Sequence, residues 1–131
     1  MEGIGESLYH ECKQFGVDTC IVEPGYFRTS FLSGFSMVPT SFPDAYKKVV
    51  DEAEAGLQAY NGNQPGDPVK AVARILDIVK QEGVAKGKGI PQHVLLGSDA
   101  IHLVSTKLKA TLESIEEWKD ISLSTDLPKG N

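Results

Sequence analysis

The chain has 131 residues, enough for one domain, and its 40% apolar and 24% charged content is ordinary for a globular protein. A formal net charge of −5, with only Arg28 and Arg74 as arginines and lysines concentrated only at Lys47-Lys48 and Lys86/Lys88, argues against a nucleic-acid or anionic-membrane surface. No run approaches the roughly 20 apolar residues of a membrane helix and no basic-then-apolar leader opens the chain, so the expectation is a cytoplasmic protein with Cys12 and Cys20 as reduced, packed thiols.

Residues 2–15 carry Ile4, Leu8, Cys12 and Phe15 at helical spacing, and Gly16 supplies a stop signal. This helix has no N-cap and no preceding strand. Thr19-Cys20-Ile21-Val22 is a short β-branched run closed by Pro24-Gly25, which predicts a strand buried on both faces, as in a parallel sheet. Residues 23–43 are irregular yet rich in aromatics, which predicts a loop lining or covering a pocket. Ser41-x-x-Asp44 resembles a capping box opening a helix to about Tyr60, with Tyr46, Val49, Val50, Ala53, Leu57 and Tyr60 on one stripe.

The turn-rich run Asn61 to Gly66 breaks the chain, and Asp67-Pro68 gives an N-cap with proline at the first helical position. Val69, Val72, Ala73, Leu76 and Val79 form the expected apolar face of that helix. A glycine- and lysine-rich loop leads to a second short buried strand, His93 to Leu96. Gly97-Ser98-Asp99 opens the last helix, with Ile101, Val104, Leu108, Leu112 and Ile115 in register. Residues 120–131 read as a loose tail. The predicted order is α-β-α-α-β-α: two parallel strands with four helices in an α/β fold. Two strands are few for a usual sheet. The expectation is therefore a single partial domain over 1–131, part of a larger doubly wound domain.

Val22-Glu23-Pro24-Gly25-Tyr26-Phe27-Arg28-Thr29 resembles a motif of the short-chain dehydrogenase/reductase family: Pro-Gly at the end of a buried strand, with a Thr four residues past the Gly. Residues 1–17 resemble the long helix that follows the family's catalytic Tyr and Lys. Gly66-Asp67-Pro68-Val69-Lys70-Ala71-Val72-Ala73 is similar to the helix behind the substrate loop, and Leu95-Leu96-Gly97-Ser98-Asp99-Ala100 to the last strand and turn. The matches cover nearly the whole chain, in order. The resemblance implies the C-terminal half of a Rossmann-type domain, with NAD(P) across the carboxyl ends of the strands. It assigns cofactor contacts to Pro24, Gly25, Phe27 and Thr29, and substrate contacts to Tyr26, Phe31, Phe35 and Met37. Paired hydrogen bonds from the Phe27 main chain and Thr29 would hold the nicotinamide carboxamide in one orientation.

The sequence lacks the family's glycine-rich phosphate loop. Gly3-Ile4-Gly5 follows no strand, and Gly83, Gly87 and Gly89 have the wrong spacing. No catalytic Ser segment is present either. Tyr9-x-x-x-Lys13 fits the catalytic string but falls too late in its helix. No catalytic residue is therefore assigned. His10, His93 and His102 lie on separate elements without ligand spacing, so no metal site is expected.

Two functional readings follow. One is a fragment of an enzyme moving hydride between NAD(P) and a carbonyl or alcohol, inactive alone. The other is a non-catalytic module whose uncovered surfaces pair with a full-length relative or another copy, as a homo- or hetero-oligomer.

Overall fold

The computed structural model describes residues 2–33 and 42–128. Its elements are α1 (Glu2–Lys13), β1 (Ile21–Pro24), a 3-10 turn at Ser30–Leu32, α2 (Asp44–Tyr60), α3 (Pro68–Lys80), a second 3-10 turn at Gly83–Ala85, β2 (His93–Leu96), α4 (Ser98–Glu117) and α5 (Lys119–Leu123). The expected partial Rossmann-like α/β arrangement is present. The fifth helix occupies part of the stretch expected to be a loose tail.

β1 and β2 pair in parallel, with Ile21, Val22, Glu23 and Pro24 opposite His93, Val94, Leu95 and Leu96. The first strand runs two residues later than the β-branched run suggests. Its rungs decide this: Ile21 N–H donates to Gln92 at 2.8 Å and Gly25 N–H to Leu96 at 2.8 Å. With odd-numbered amides facing β2, the proline nitrogen of Pro24 points away from the ladder and breaks no rung.

Alternation splits the sheet's surroundings. Val94 and Leu96 face Ile78 of α3 and Val84 across a cavity of about 310 Å³. Leu95 faces Ala100, Leu103 and Val104 of α4. Both strands were expected to be doubly buried, yet every residue in them is half-buried or exposed. Among the described residues only Leu32, Ala85, Ala100 and Gln64 are fully buried. The accessible surface is 10734 Å², against about 6,800 Å² for a compact monomer of this mass. The helices beside this two-stranded sheet leave both of its faces partly open.

The helices show the same shortfall. Asp67 caps α3 as expected, its Oδ1 accepting from Val69 N–H at 2.9 Å and Lys70 N–H at 3.3 Å. The apolar face of α3 is a correction. Val69, Val72, Leu76 and Val79 are exposed, and the half-buried stripe is Ala71, Ala73, Ile75 and Ile78. Lys70, Arg74 and Asp77 share one side of this helix, and the apolar arc opposite them is broad, running from Ile78 through Ile75 and Val72 to Val69, so periodicity does not choose which part of the arc faces the sheet. On α4, Ala100 is buried and Val104 half-buried, whereas Ile101, Leu108, Leu112 and Ile115 are exposed. On α2, Tyr46 and Val49 are exposed while Val50, Leu57 and Tyr60 are half-buried. Pro43 stands at the N-cap of α2 with no side-chain cap bond. Ser41 of the expected capping box lies outside the described residues, as do Phe35 and Met37.

Gly16, with φ of 69°, stops α1 through the turn it makes after Lys13. Cys12 and Cys20 are free thiols, and burial pushes the Cys20 thiol up. No helix among the described residues is long and apolar enough to cross a membrane.

Candidate functional site

The loop after β1 is gripped from two sides. On one side it meets the turn before α3. Gly66 N–H donates to the Tyr26 carbonyl at 3.0 Å, and Arg28 N–H donates to the Gly66 carbonyl at 2.8 Å. These bonds make a parallel bridge between Phe27 and Gly66. Neither uses Phe27's own N–H or C=O. A trans peptide is planar with its N–H and C=O opposed. Fixing the Tyr26 carbonyl therefore aims Phe27 N–H away from Gly66, and fixing Arg28 N–H does the same for the Phe27 carbonyl. The two groups form a donor–acceptor pair on the face turned away from the bridge.

One further contact reinforces this turn. The Arg28 guanidinium donates to the Gln64 carbonyl at 3.0 Å. Gln64 is 1% exposed, and its Oε1 has no partner among the described residues. On the other side of the loop, Tyr26 N–H donates to Asp99 Oδ2 of α4 at 2.6 Å.

A cavity of about 310 Å³ lies along this loop, lined by Pro24, Gly25, Tyr26, Phe27, Thr29, Phe31, Leu32 and Gln64. Six of these are residues singled out from sequence as cofactor or substrate contacts. The structure brings these six together; Phe35 and Met37 lie outside the described residues. Thr29 caps the 3-10 turn, its Oγ1 accepting from Phe31 N–H at 3.3 Å; its hydroxyl proton is left for another acceptor. The Tyr26 ring packs edge-on against Tyr60 at 5.0 Å. Leu32, Gln64, Gly66 and Asp99 were not singled out as site residues. Gln64 reads only as part of a chain break, and Gly66 and Asp99 only as members of the segments that resemble the family's later helix and last turn.

Tyr9 and Lys13 do not join the site. Lys13 Nζ lies over the Tyr9 ring, 5.4 Å from its centroid. Neither lines the cavities flanking the Pro24–Tyr26 turn.

A separate ionic cluster ties α1 to the sheet. His93 Nδ1 meets Glu23 Oε1 at 2.9 Å and its Nε2 meets Glu6 Oε1 at 3.4 Å. The carboxylates occupy opposite ring nitrogens, so the three groups do not converge on one point, and no metal-binding group of three is found among the described residues. The hydrogen bond to Glu23, then the charges of Glu23 and Glu6, raise the His93 pKa above 6.5, against a lowering by burial. A raised folded pKa gives stabilisation that is present below the unfolded value of about 6.5 and fades as pH rises through the folded one. The melting-temperature gap between the parent chain and His93→Gln should therefore be widest in mild acid and narrow above neutrality. A pH-independent gap would refute this.

No protein-family model matches the chain. A crystal structure of a short-chain dehydrogenase from Streptomyces avermitilis superposes with a TM-score of 0.72 and 31% identity, covering 96% of this chain and 43% of that one. The chain is related to the short-chain dehydrogenases. It is also 31% identical over 110 residues to the uncharacterized oxidoreductase YusZ of Bacillus subtilis, covering 75% of this chain and 38% of YusZ. It is 25% identical over 123 residues to oxidoreductase BOA17 of Botryotinia fuckeliana, covering 94% of this chain and 42% of BOA17. The chain thus spans about two fifths of the length of the short-chain dehydrogenase and oxidoreductases it matches.

Proposed function

We propose that this chain supplies the nicotinamide-facing and substrate-facing loops of an NAD(P)-dependent short-chain oxidoreductase, and that it does not turn over by itself. The observation that carries this reading is the Phe27 donor–acceptor pair. A primary carboxamide presents one acceptor and two donors, and a main-chain N–H beside a C=O complements it in one orientation. The adjoining cavity has room for a nicotinamide ring. When bound, the dinucleotide supplies the hydride chemistry. The chain's own task is to orient the ring, with Tyr26 and Phe31 bounding the substrate side.

Inactivity of the chain alone is supported by the sequence. No glycine-rich turn follows an early strand to hold the pyrophosphate, and no Tyr/Lys pair stands at the start of α1 to move the proton. Titration of the purified chain with NADH and NADPH, followed by cofactor fluorescence, should show no micromolar binding. Residues 2–128 spliced in place of the matching segment of the Streptomyces dehydrogenase should retain that enzyme's dehydrogenase activity. There, Thr29→Ala should lower kcat/KM by about tenfold, the size of one hydrogen bond. Micromolar cofactor binding by the isolated chain, or a folded but inert chimera, would overturn the reading.

A second reading, a non-catalytic module that associates with a full-length relative, is favoured by the uncovered apolar faces of α3 and α4.

A further inference from the structure

Asp99 reaches the Pro24–Tyr26 turn from a distant part of the sequence. It stands in the first turn of α4, where a carboxylate would ordinarily serve the helix's own free amides. It does not do so. No side-chain bond caps this helix, Oδ2 is spent on Tyr26 N–H, and Oδ1 has no partner among the described residues. The carboxylate also fills the space beside two glycines. A Cβ on Gly25 would lie 2.1 Å from Asp99 Oδ1, and one on Gly97 2.6 Å from the same atom. Gly97 has φ of 108° as well, a conformation that residues bearing a Cβ avoid. At Gly25 only the space matters.

The consequence runs along the chain. Asp99 fixes the peptide ahead of Tyr26, and Gly66 fixes the two peptides flanking Phe27. Three successive peptide planes are thus set by groups outside the loop. Without the Asp99 bond, the main chain of the loop after Gly25 is held only by its two bonds to Gly66. A bond to a charged acceptor is the stronger kind, and 2.6 Å places this one at the short end.

We propose that Asp99 is a positioning residue for the nicotinamide-facing loop, acting through Tyr26 N–H to set the direction of the Phe27 donor–acceptor pair. This rests on the cofactor-loop reading above and adds a residue to it.

The test uses the full chain in parallel with Asp99→Ala, Asp99→Asn and Gly25→Ala, by amide hydrogen exchange and by NMR shifts on adding millimolar nicotinamide mononucleotide. Asp99→Ala should raise Tyr26 amide exchange about tenfold or more, the cost of one charge-assisted bond. Asp99→Asn keeps an acceptor oxygen and should restore most of the protection. In the parent and Asp99→Asn the mononucleotide should shift the Phe27–Thr29 amides; in Asp99→Ala that response should be lost. Gly25→Ala displaces the carboxylate without altering Asp99, and should loosen Tyr26 while leaving the middle of α4 protected.

Unchanged Tyr26 exchange in Asp99→Ala and Gly25→Ala would overturn the proposal. So would loosened Tyr26 exchange with the mononucleotide response intact, since Asp99 would then serve the fold alone. If the parent itself shows no response at Phe27–Thr29 while Tyr26 exchange behaves as expected, the nicotinamide reading has failed and the positioning role falls with it, leaving only a structural contact.

Discussion

Gly66→Val is expected to melt several degrees below the parent chain and to free the loop after β1. A Cβ at Gly66 would lie 2.5 Å from Phe27 Cδ1, 2.7 Å from Phe27 Cγ and 2.8 Å from the Tyr26 carbonyl. Two of those atoms belong to a ring and the third to backbone, so none can swing aside cheaply. Relief requires the turn before α3 to part from Phe27, which breaks both bonds of the bridge and leaves four polar groups to find water. Overpacking of this kind costs about 1–3 kcal/mol. For a domain of this size each kcal/mol lowers Tm by roughly 4 °C. Circular-dichroism melts would measure the loss, and an unchanged Tm would show that the bridge does not form in solution.

The other large effect expected is self-association. The chain exposes thousands of Å² beyond what a compact monomer of 14.2 kDa would. On α3 alone, Val69, Val72, Leu76 and Val79 are each more than two-fifths exposed. Apolar patches of this extent mark surfaces that other chains cover. Sedimentation velocity should show a mass rising above the monomer with concentration, and rising salt should not reverse it, because the contact is not ionic. Val72→Asp with Leu76→Asp should return the species toward monomer without unfolding it, since both side chains already face solvent. A monomer at every concentration would refute the association reading and weaken the case for an interaction module.

Features set by near neighbours in the sequence were legible in it. Asp67 and Pro68 cap and start α3 because their side chains act within one turn, and Gly16 stops α1 by a local φ. The parallel partnership of two short apolar runs also followed from their composition. The phase of β1 did not. Its rungs are set by Gln92 and Leu96, far along the chain, and they carry the strand through Pro24. The inner face of α3 was hidden because valine, leucine and isoleucine span a broad arc of the helix, and contact with Val94 and Leu96 selects the Ile78 edge of it. At the site, Pro24, Gly25, Phe27 and Thr29 came from a contiguous motif. Gln64, Gly66 and Asp99 did not, because each meets the motif only through tertiary contact, and each already had a local reading as turn or helix start.

The pairing of Val22 with Val94 closes a loop of about 70 residues, so the two strands meet only after a costly closure. On a ribosome adding roughly 5–20 residues per second, β1 emerges several seconds before its partner exists. During that interval a β-branched strand with an unpaired edge is available to any other nascent or unfolded chain. The sheet therefore waits for β2, whereas α1, α2 and α3 can form from local contacts before it. Co-synthesis with a chaperone that shields β1 is the condition under which the protein's yield should rise most.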